Sequence, residues 1–300
     1  MKNALRWAER GLLPDALIRT GIRKLLGHRI AEIDPGDCQD RTQHLEQFIA
    51  AMDESPIALH TREANEQHYE LPPAFFEKVL GAHLKYSSCY YATGRETLDE
   101  AEAAMLKLYG ERAELADGMD ILELGCGWGS LTLWMAITFP NSQITAVSNS
   151  APQRQFIEDR CAKRGIDNVR VITCDMNEFA PEGTYDRVVS VEMFEHLRNY
   201  RAMLKRVASW LKDDGKLFLH IFVHRQNPYL SIVVPSLTSW HMHFTLERSK
   251  SRFASAPRTS KWYLRCDSAS ATGLDRLDAS LGSAAAARSC VASTSPARGA

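Results

Sequence analysis

Glu192-Met193-Phe194-Glu195-His196 puts two carboxylates and an imidazole into one short run. Such groups move protons. Histidine titrates near neutral pH, and a carboxylate beside it can take or share the proton. An amine is a cation at neutral pH and cannot attack an electrophile until a neighbouring base removes a proton, which a Glu/His pair can do. If the chain turns helically after Met193, Glu192 and Glu195 share a face and His196 lies close to it. The competing reading for Glu195 and His196 is a helix cap with surface charge. His220, in Leu219-His220-Ile221, is either a satisfied core histidine of an apolar strand or a site residue. His224 reads as solvent-exposed.

A second constellation is Glu123-Leu124-Gly125-Cys126-Gly127-Trp128-Gly129. Glycines at alternate positions allow backbone angles closed to other residues and let a ligand lie against the main chain. The spacing is GxGxG, whereas a dinucleotide-phosphate loop reads GxGxxG. Trp128 is expected to crowd a pyrophosphate, and Glu123 adds negative charge beside it. Glu123 suits a ligand with a positive group, such as the ammonium of a methionine moiety. Further on, Ser148-Asn149-Ser150 and Gln153 offer donors and acceptors for ribose hydroxyls. In Cys174-Asp175-Met176, Asp175 can accept from an exocyclic adenine amine and Met176 can cover the ring. Asp175 alone reads more simply as a cap; its register with the other two segments favours the ligand.

These residues need a scaffold that brings them together. Asp120–Leu124, Gln143–Val147, Val169–Thr173, Asp186–Val191 and Lys216–Val223 read as strands. Helices are predicted over Ser130–Phe139, Pro152–Arg164 and Tyr200–Leu211, with Asp213-Asp214-Gly215 as a turn. The alternation predicts an α/β fold, a parallel Rossmann-like sheet with helices on both faces. Ligands of such sheets bind at the carboxyl ends of the strands, where each candidate segment stands. Residues 1–81 read as an N-terminal helical cap. In it Leu17, Ile18, Ile22, Leu25, Leu26 and Ile30 recur at helical spacing among Arg19, Arg23, Lys24 and Arg29. That helix packs on the main domain, or it serves as a membrane-surface or dimer helix. Residues 82–228 read as the core, and residues 229–300 as an atypical, poorly ordered tail of low complexity.

The chain has 300 residues and a formal net charge of −1, so no global basic field draws it to nucleic acid. A small-molecule or lipid partner is the expectation. Its 7 cysteines are scattered without CxxC or zinc spacing, so no metal site is expected. An odd count without a recognisable leader suggests reduced thiols in the cytoplasm.

As a set, several segments resemble the cyclopropane-fatty-acid-synthase-like branch of class I methyltransferases, and within it the coclaurine N-methyltransferase type. They are Leu84-Lys85-Tyr86-Ser87-Ser88-Cys89-Tyr90-Tyr91, the glycine loop, Val147-Ser148-Asn149-Ser150 with Gln153, Asp175-Met176, and Ser190-Val191-Glu192-Met193-Phe194-Glu195-His196. The resemblance runs from about Glu66 to Arg225. It implies S-adenosyl-L-methionine as cofactor, with Tyr86 and Ser87 closing over it. It also implies that Gly125, Gly127, Asn149, Gln153, Asp175 and Met176 line the site, with Val191 contacting through its backbone. Glu195 and His196 would be the acid/base pair beside a substrate amine, with Glu192 close by.

The chain departs from the family twice. Cyclopropane synthases carry a cysteine directly after the Tyr-Ser pair, as part of a bicarbonate site; here that residue is Ser88, which tilts the expectation toward N-methylation over lipid modification. His220 and Glu195 could still match the remainder of that site. After Tyr229 the resemblance is expected to stop, with Trp240-His241-Met242-His243-Phe244-Thr245 only faintly echoing the family's substrate lid. A chain without that lid could bind cofactor and not turn over. We attribute the shift in composition to a lost coding frame or to divergence of the terminus by another route. Translating the nucleotide sequence in the other two frames should restore a lid-like sequence in one of them; its absence from both excludes the frameshift.

Overall fold

The computed structural model describes residues 6–8, 10–34, 36–59, 72–221 and 262–267, the last run by its backbone. Residues 222–261 and 268–300 lie outside the described residues, and with them Val223, His224, the lid echo and most of the tail.

The chain divides into two compact units between Ala50 and Ala51. The first holds α1 (Asp15–Ile33) and most of α2 (Cys38–Asp53). On α1, Ile18, Ile22 and Leu26 are half-buried at a spacing of one turn and Ile33 is buried, whereas Leu17, Leu25 and Ile30 face outward. The predicted apolar set is therefore split between two sides of the helix.

The second unit is the α/β domain. It opens with α3 (Pro73–Val79) and α4 (Leu98–Arg112). A capping box between Thr97 and Glu100 starts α4 by satisfying orphan amides at its first turn. There follow β1 (Asp120–Leu124), α5 (Ser130–Thr138), β2 (Gln143–Ser148), α6 (Ala151–Arg164), β3 (Val169–Thr173), β4 (Tyr185–Val191), α7 (Tyr200–Trp210) and β5 (Leu211–Ile221). The sheet order is β3-β2-β1-β4-β5-β6, where β6 is Trp262–Asp267. The first five strands are parallel, and β6 runs antiparallel to β5.

Alternation along the strands feeds both faces. Leu122, Leu124, Val188, Leu217 and Leu219 pack with Met203, Val207 and Trp210 of α7. On the other face Ile121, Val189 and Phe218 meet Met105, Leu106 and Tyr109 of α4 and Leu131 and Met135 of α5. Tertiary burial thus matches the parallel doubly covered sheet expected from the residue pattern.

Two expectations are corrected. The Asp213-Asp214-Gly215 signal does not end a helix and start a strand; β5 runs through it from Leu211. Tyr185 pairs with Leu211 and Arg187 with Lys216, so the intervening residues bulge out of the ladder. The bulge is pinned by Lys212, whose Nζ lies 2.8 Å from both Asp120 and Asp186 carboxylates. The tail also holds a strand: Trp262-Tyr263-Leu264-Arg265-Cys266-Asp267 is a short β-prone run that covers the open edge of β5.

Gly129 joins the loop to α5 at φ +79°, and a Cβ there would lie 2.7 Å from Ile157 of α6. Gly129→Ala therefore combines left-handed strain with overpacking, and should lower unfolding free energy by about 2–4 kcal/mol in urea denaturation.

Candidate active site

The five parallel strands stop at one level, and the candidate residues occupy the first positions beyond them. Leu124 pairs with Val147 on one side and Ser190 on the other, and Val191 pairs with His220. The amides of Gly125 and Cys126 both donate to the carbonyl of Val147, each at 3.0 Å. This holds the glycine loop against β2 as it leaves β1. Gly125, Gly127 and Gly129 have φ of +81°, +52° and +79°. A Cβ on Gly125 would come within 2.6 Å of the Met193 side chain, whereas one on Gly127 would meet open space. Gly127 is therefore required by conformation and leaves room above the backbone.

Trp128, expected to crowd a pyrophosphate, packs into an aromatic cluster. Its indole is buried 5.0 Å from the Phe76 ring and 5.2 Å from that of Phe156. Phe76 in turn stacks edge-on with Tyr86 at 5.3 Å. The expected cofactor cover is therefore tied to the loop through one aromatic cluster.

Glu123 is buried on the α5 side, and the Thr132 hydroxyl donates to its Oε2 at 2.5 Å. Burial pushes its pKa up to about 7, opposed by the Thr132 hydrogen bond and by the positive charge of Lys85. At the end of β2, the Ser148 hydroxyl donates to Gln153 Oε1 at 2.6 Å and accepts the Ser150 amide at 3.0 Å. Asn149 is half-buried between them. Gln153 Nε2 is buried and has no hydrogen bond among the described residues; the same holds for Trp128 Nε1 and Ser130 Oγ. After β3, Asp175 Oδ1 accepts from the Asn177 amide at 2.7 Å and its Nδ2 at 2.8 Å. One oxygen of Asp175 is thus committed to a turn. Met176 is half-buried against the α7-side core.

The acid/base run differs from the helical expectation. The 3₁₀ turn spans Phe194–His196, so Glu192 lies before it and shares no helical face with Glu195. Glu192 has φ +51°, a strained value for a non-glycine residue. Its amide donates to the His220 carbonyl at 2.7 Å and its Oε1 accepts from the Ser88 amide at 3.1 Å. Glu192 thus joins β4, β5 and the Tyr86–Ser88 segment. Glu195 is half-buried, and its charge adds to burial in raising the Tyr200 phenol pKa. His196 is exposed.

Sequence reading missed three groups that hold this arrangement. Glu102 is fully buried and accepts from the amides of Gly81 at 2.9 Å, His83 at 2.8 Å and Lys85 at 3.2 Å. Its signal was a carboxylate on the apolar Met105-Leu106-Tyr109 face of α4. Lys85 and Tyr109 are buried too; the Lys85 ammonium donates to Ser87 Oγ and to the Tyr109 hydroxyl. His220 is buried with Nδ1 at 2.7 Å from that hydroxyl.

An open parallel sheet of this order, with a glycine loop after β1, defines the Rossmann-like methyltransferase fold. A solved coclaurine N-methyltransferase, bound to N-methylheliamine and SAH, superposes with a TM-score of 0.74 at 34% identity, covering 81% of this chain and 70% of that one. The family profile described as mycolic acid cyclopropane synthetase matches residues 58–240, and the chain belongs to that family. The match runs past Tyr229, further than the resemblance read from sequence. The chain is also similar to (S)-coclaurine N-methyltransferase of Thalictrum flavum subsp. glaucum, 39% identical over 75% of this chain and 62% of that protein. It is similar to the cyclopropane-fatty-acyl-phospholipid synthase of Escherichia coli (strain K12), 35% identical over 52% of this chain and 39% of that protein. The chain therefore spans less than two thirds of the curated relatives it matches.

Burial of Glu123 has a consequence for stability. Below about pH 4.5 it is neutral in both states and costs nothing. As pH rises toward about 7 the unfolded chain ionises first, so the folded state loses stability, by about 3 kcal/mol once pH exceeds 7. Glu123→Gln should remove this loss. Thermal melts from pH 5 to 8, a range set by about one unit either side of neutral histidine chemistry, should show the variant gaining on the parent as pH rises; a constant difference would refute the assignment.

Proposed function

We propose that this chain is an S-adenosyl-L-methionine-dependent methyltransferase of the cytoplasm that methylates the nitrogen of a small-molecule amine. The observation that carries this reading is a pair of buried polar atoms without hydrogen bonds among the described residues, Ser130 Oγ and Gln153 Nε2, on the helices α5 and α6 that follow the glycine loop and β2. Burying such groups without a partner costs about 1–3 kcal/mol each, and a ribose or carboxylate offers the missing partners.

The residues present fit the cofactor. Glu123 supplies negative charge in a buried setting, complementary to a methionine ammonium, and such a cation would lower its raised pKa. Asn149 and Gln153 provide hydroxyl partners, and Met176 with Asp175 an adenine edge. Tyr86 and Ser87 form the cover, with Val191 at the wall. When bound, S-adenosyl-L-methionine supplies a methyl group on a positively charged sulfur. The work of the protein is then orientation, exclusion of water and removal of one proton from the amine. Glu195, half-buried beside Tyr200, holds the acceptor ammonium, and His196 at the solvent side passes its proton outward. Glu192 sets the position of the Ser88 segment and faces the same strand ends. Cys38, Cys89, Cys126, Cys161 and Cys174 are free thiols, in keeping with a reducing compartment.

The family description and the similarity to a phospholipid-modifying synthase support a second reading, transfer to unsaturated acyl chains. Labelled cofactor, offered separately with a panel of amines and with extracted phospholipid, separates the two. Label in amines is the expected result. Label in lipid alone overturns N-methylation, and cofactor binding with no transfer at all marks a chain that no longer catalyses. Glu195→Gln and His196→Ala should each lower kcat about 10²-fold or more while cofactor affinity stays within about twofold of the parent. Lost affinity would show that these residues bind cofactor instead.

A further inference from the structure

Tyr109 lies on α4, outside the glycine loop and the acid/base turn, and its hydroxyl is the junction of a buried hydrogen-bonded chain. Lys85 Nζ lies 3.1 Å from it and His220 Nδ1 lies 2.7 Å from it. All three side chains are buried. Hydrogen-bond stoichiometry gives this chain a direction. An ammonium donates and cannot accept; a phenol has one proton; a ring nitrogen donates or accepts according to tautomer. Lys85 must therefore donate to the phenol oxygen, and the phenol proton points to the close ring nitrogen. Nδ1 is then the acceptor, and the ring proton sits on Nε2.

The reverse polarity is less favourable. A proton on Nδ1 would place two donors on the phenol oxygen, one of them cationic. The phenol proton would then have to turn to the hydroxyls of Ser87 or Ser88, which also face it, and Ser87 Oγ already takes the Lys85 ammonium. Other charged or titratable groups that act on or are acted on by Tyr109 are Glu192, Cys89 and Arg112. Burial, and then the Glu192 charge, raise the phenol pKa well above its ordinary value, so the hydroxyl stays protonated. A second proton on His220 would place an imidazolium one hydroxyl away from an ammonium in a buried site, which like-charge repulsion and desolvation both disfavour.

We propose that Lys85 and Tyr109 are positioning residues that hold His220 as its neutral Nε2–H tautomer, so that His220 is a fixed hydrogen-bond donor at the end of β5 and not the proton acceptor. This assigns the two histidines near the strand ends different work, since His196 is exposed where His220 is buried. The catalytic half of the inference rests on the methyl-transfer reading; the tautomer does not.

The test is a long-range ¹H–¹⁵N correlation spectrum of the full chain labelled with ¹⁵N-histidine, His220 being identified by the signals lost in His220→Gln. The expected pattern is a pyridine-type Nδ1 and a pyrrole-type Nε2, retained across about pH 6–8, where an unperturbed histidine would titrate. A pyrrole-type Nδ1, or an imidazolium in that range, overturns the inference. Tyr109→Phe keeps the ring beside Phe218 and removes the hydroxyl; Lys85→Met removes the donor and keeps most of the stem. In Tyr109→Phe the pattern should collapse to mixed tautomers or titrate, and kcat should fall with cofactor KM unchanged. An unchanged tautomer in that variant removes the role of Tyr109. The spectrum needs no turnover. An unaltered chain with the expected tautomer that methylates nothing would defeat the proposed function and leave the tautomer assignment standing.

Discussion

Two amides on one carbonyl fix the architecture of this site. Gly125 and Cys126 both donate to Val147, so the chain leaving β1 stays clamped to β2 while it reverses direction. Three left-handed glycines make that reversal sterically allowed. With β1 held in this way, parallel register brings the ends of β2, β4 and β5 to the same level. Ser148, Val191 and His220 follow from that register. A shift of β4 by one residue would exchange Glu192 for a core position, because side chains alternate between faces.

Around this clamp the domain buries charge in a controlled way. Glu102 would be costly inside the α4 face were it not receiving three backbone amides. Those same bonds shape residues 81–85 and so place Tyr86 and Ser87. Lys85 and Glu123 are buried opposite charges that act on each other, and each also holds a hydroxyl. Glu123 nonetheless retains a raised pKa, because burial outweighs both favourable contacts. A buried, partly uncompensated carboxylate just before a glycine loop costs stability and is complementary to a cationic ligand. That trade is common where function and folding make opposite demands on one residue.

The sequence made the sheet legible because each strand is a short apolar run with a turn signal behind it. β1 and β3 have the bounds expected from pattern alone, and the others differ by a few residues. The glycine loop was legible for a similar reason, since its spacing has few other uses. Contacts between distant segments were not. Nothing local in Glu102 announces three amides from Gly81 to Lys85, and nothing near Glu192 announces Ser88, which lies on another element. Trp128 was misjudged because its neighbours in space, Phe76 and Phe156, are far away in sequence. The Asp213-Asp214-Gly215 turn was misread because a bulge and a turn use the same residue types.

Ser88 shows how far a single departure from a family pattern reaches. The contact this position makes with Glu192 uses its main-chain amide at 3.1 Å, and any residue but proline supplies that donor. Replacing a cysteine there by serine therefore leaves the link between the N-terminal segment and β4 intact. What changes is the side chain, whose hydroxyl is buried and faces Tyr109 beside Ser87. Two hydroxyls and one ammonium then gather at the Tyr109 phenol, which in turn meets His220. In the proposed arrangement the ring is held fixed and neutral, and is not the group that collects a proton from substrate. On the proposed methyl-transfer reading, proton removal falls to the Glu195–His196 turn, where His196 is exposed to water.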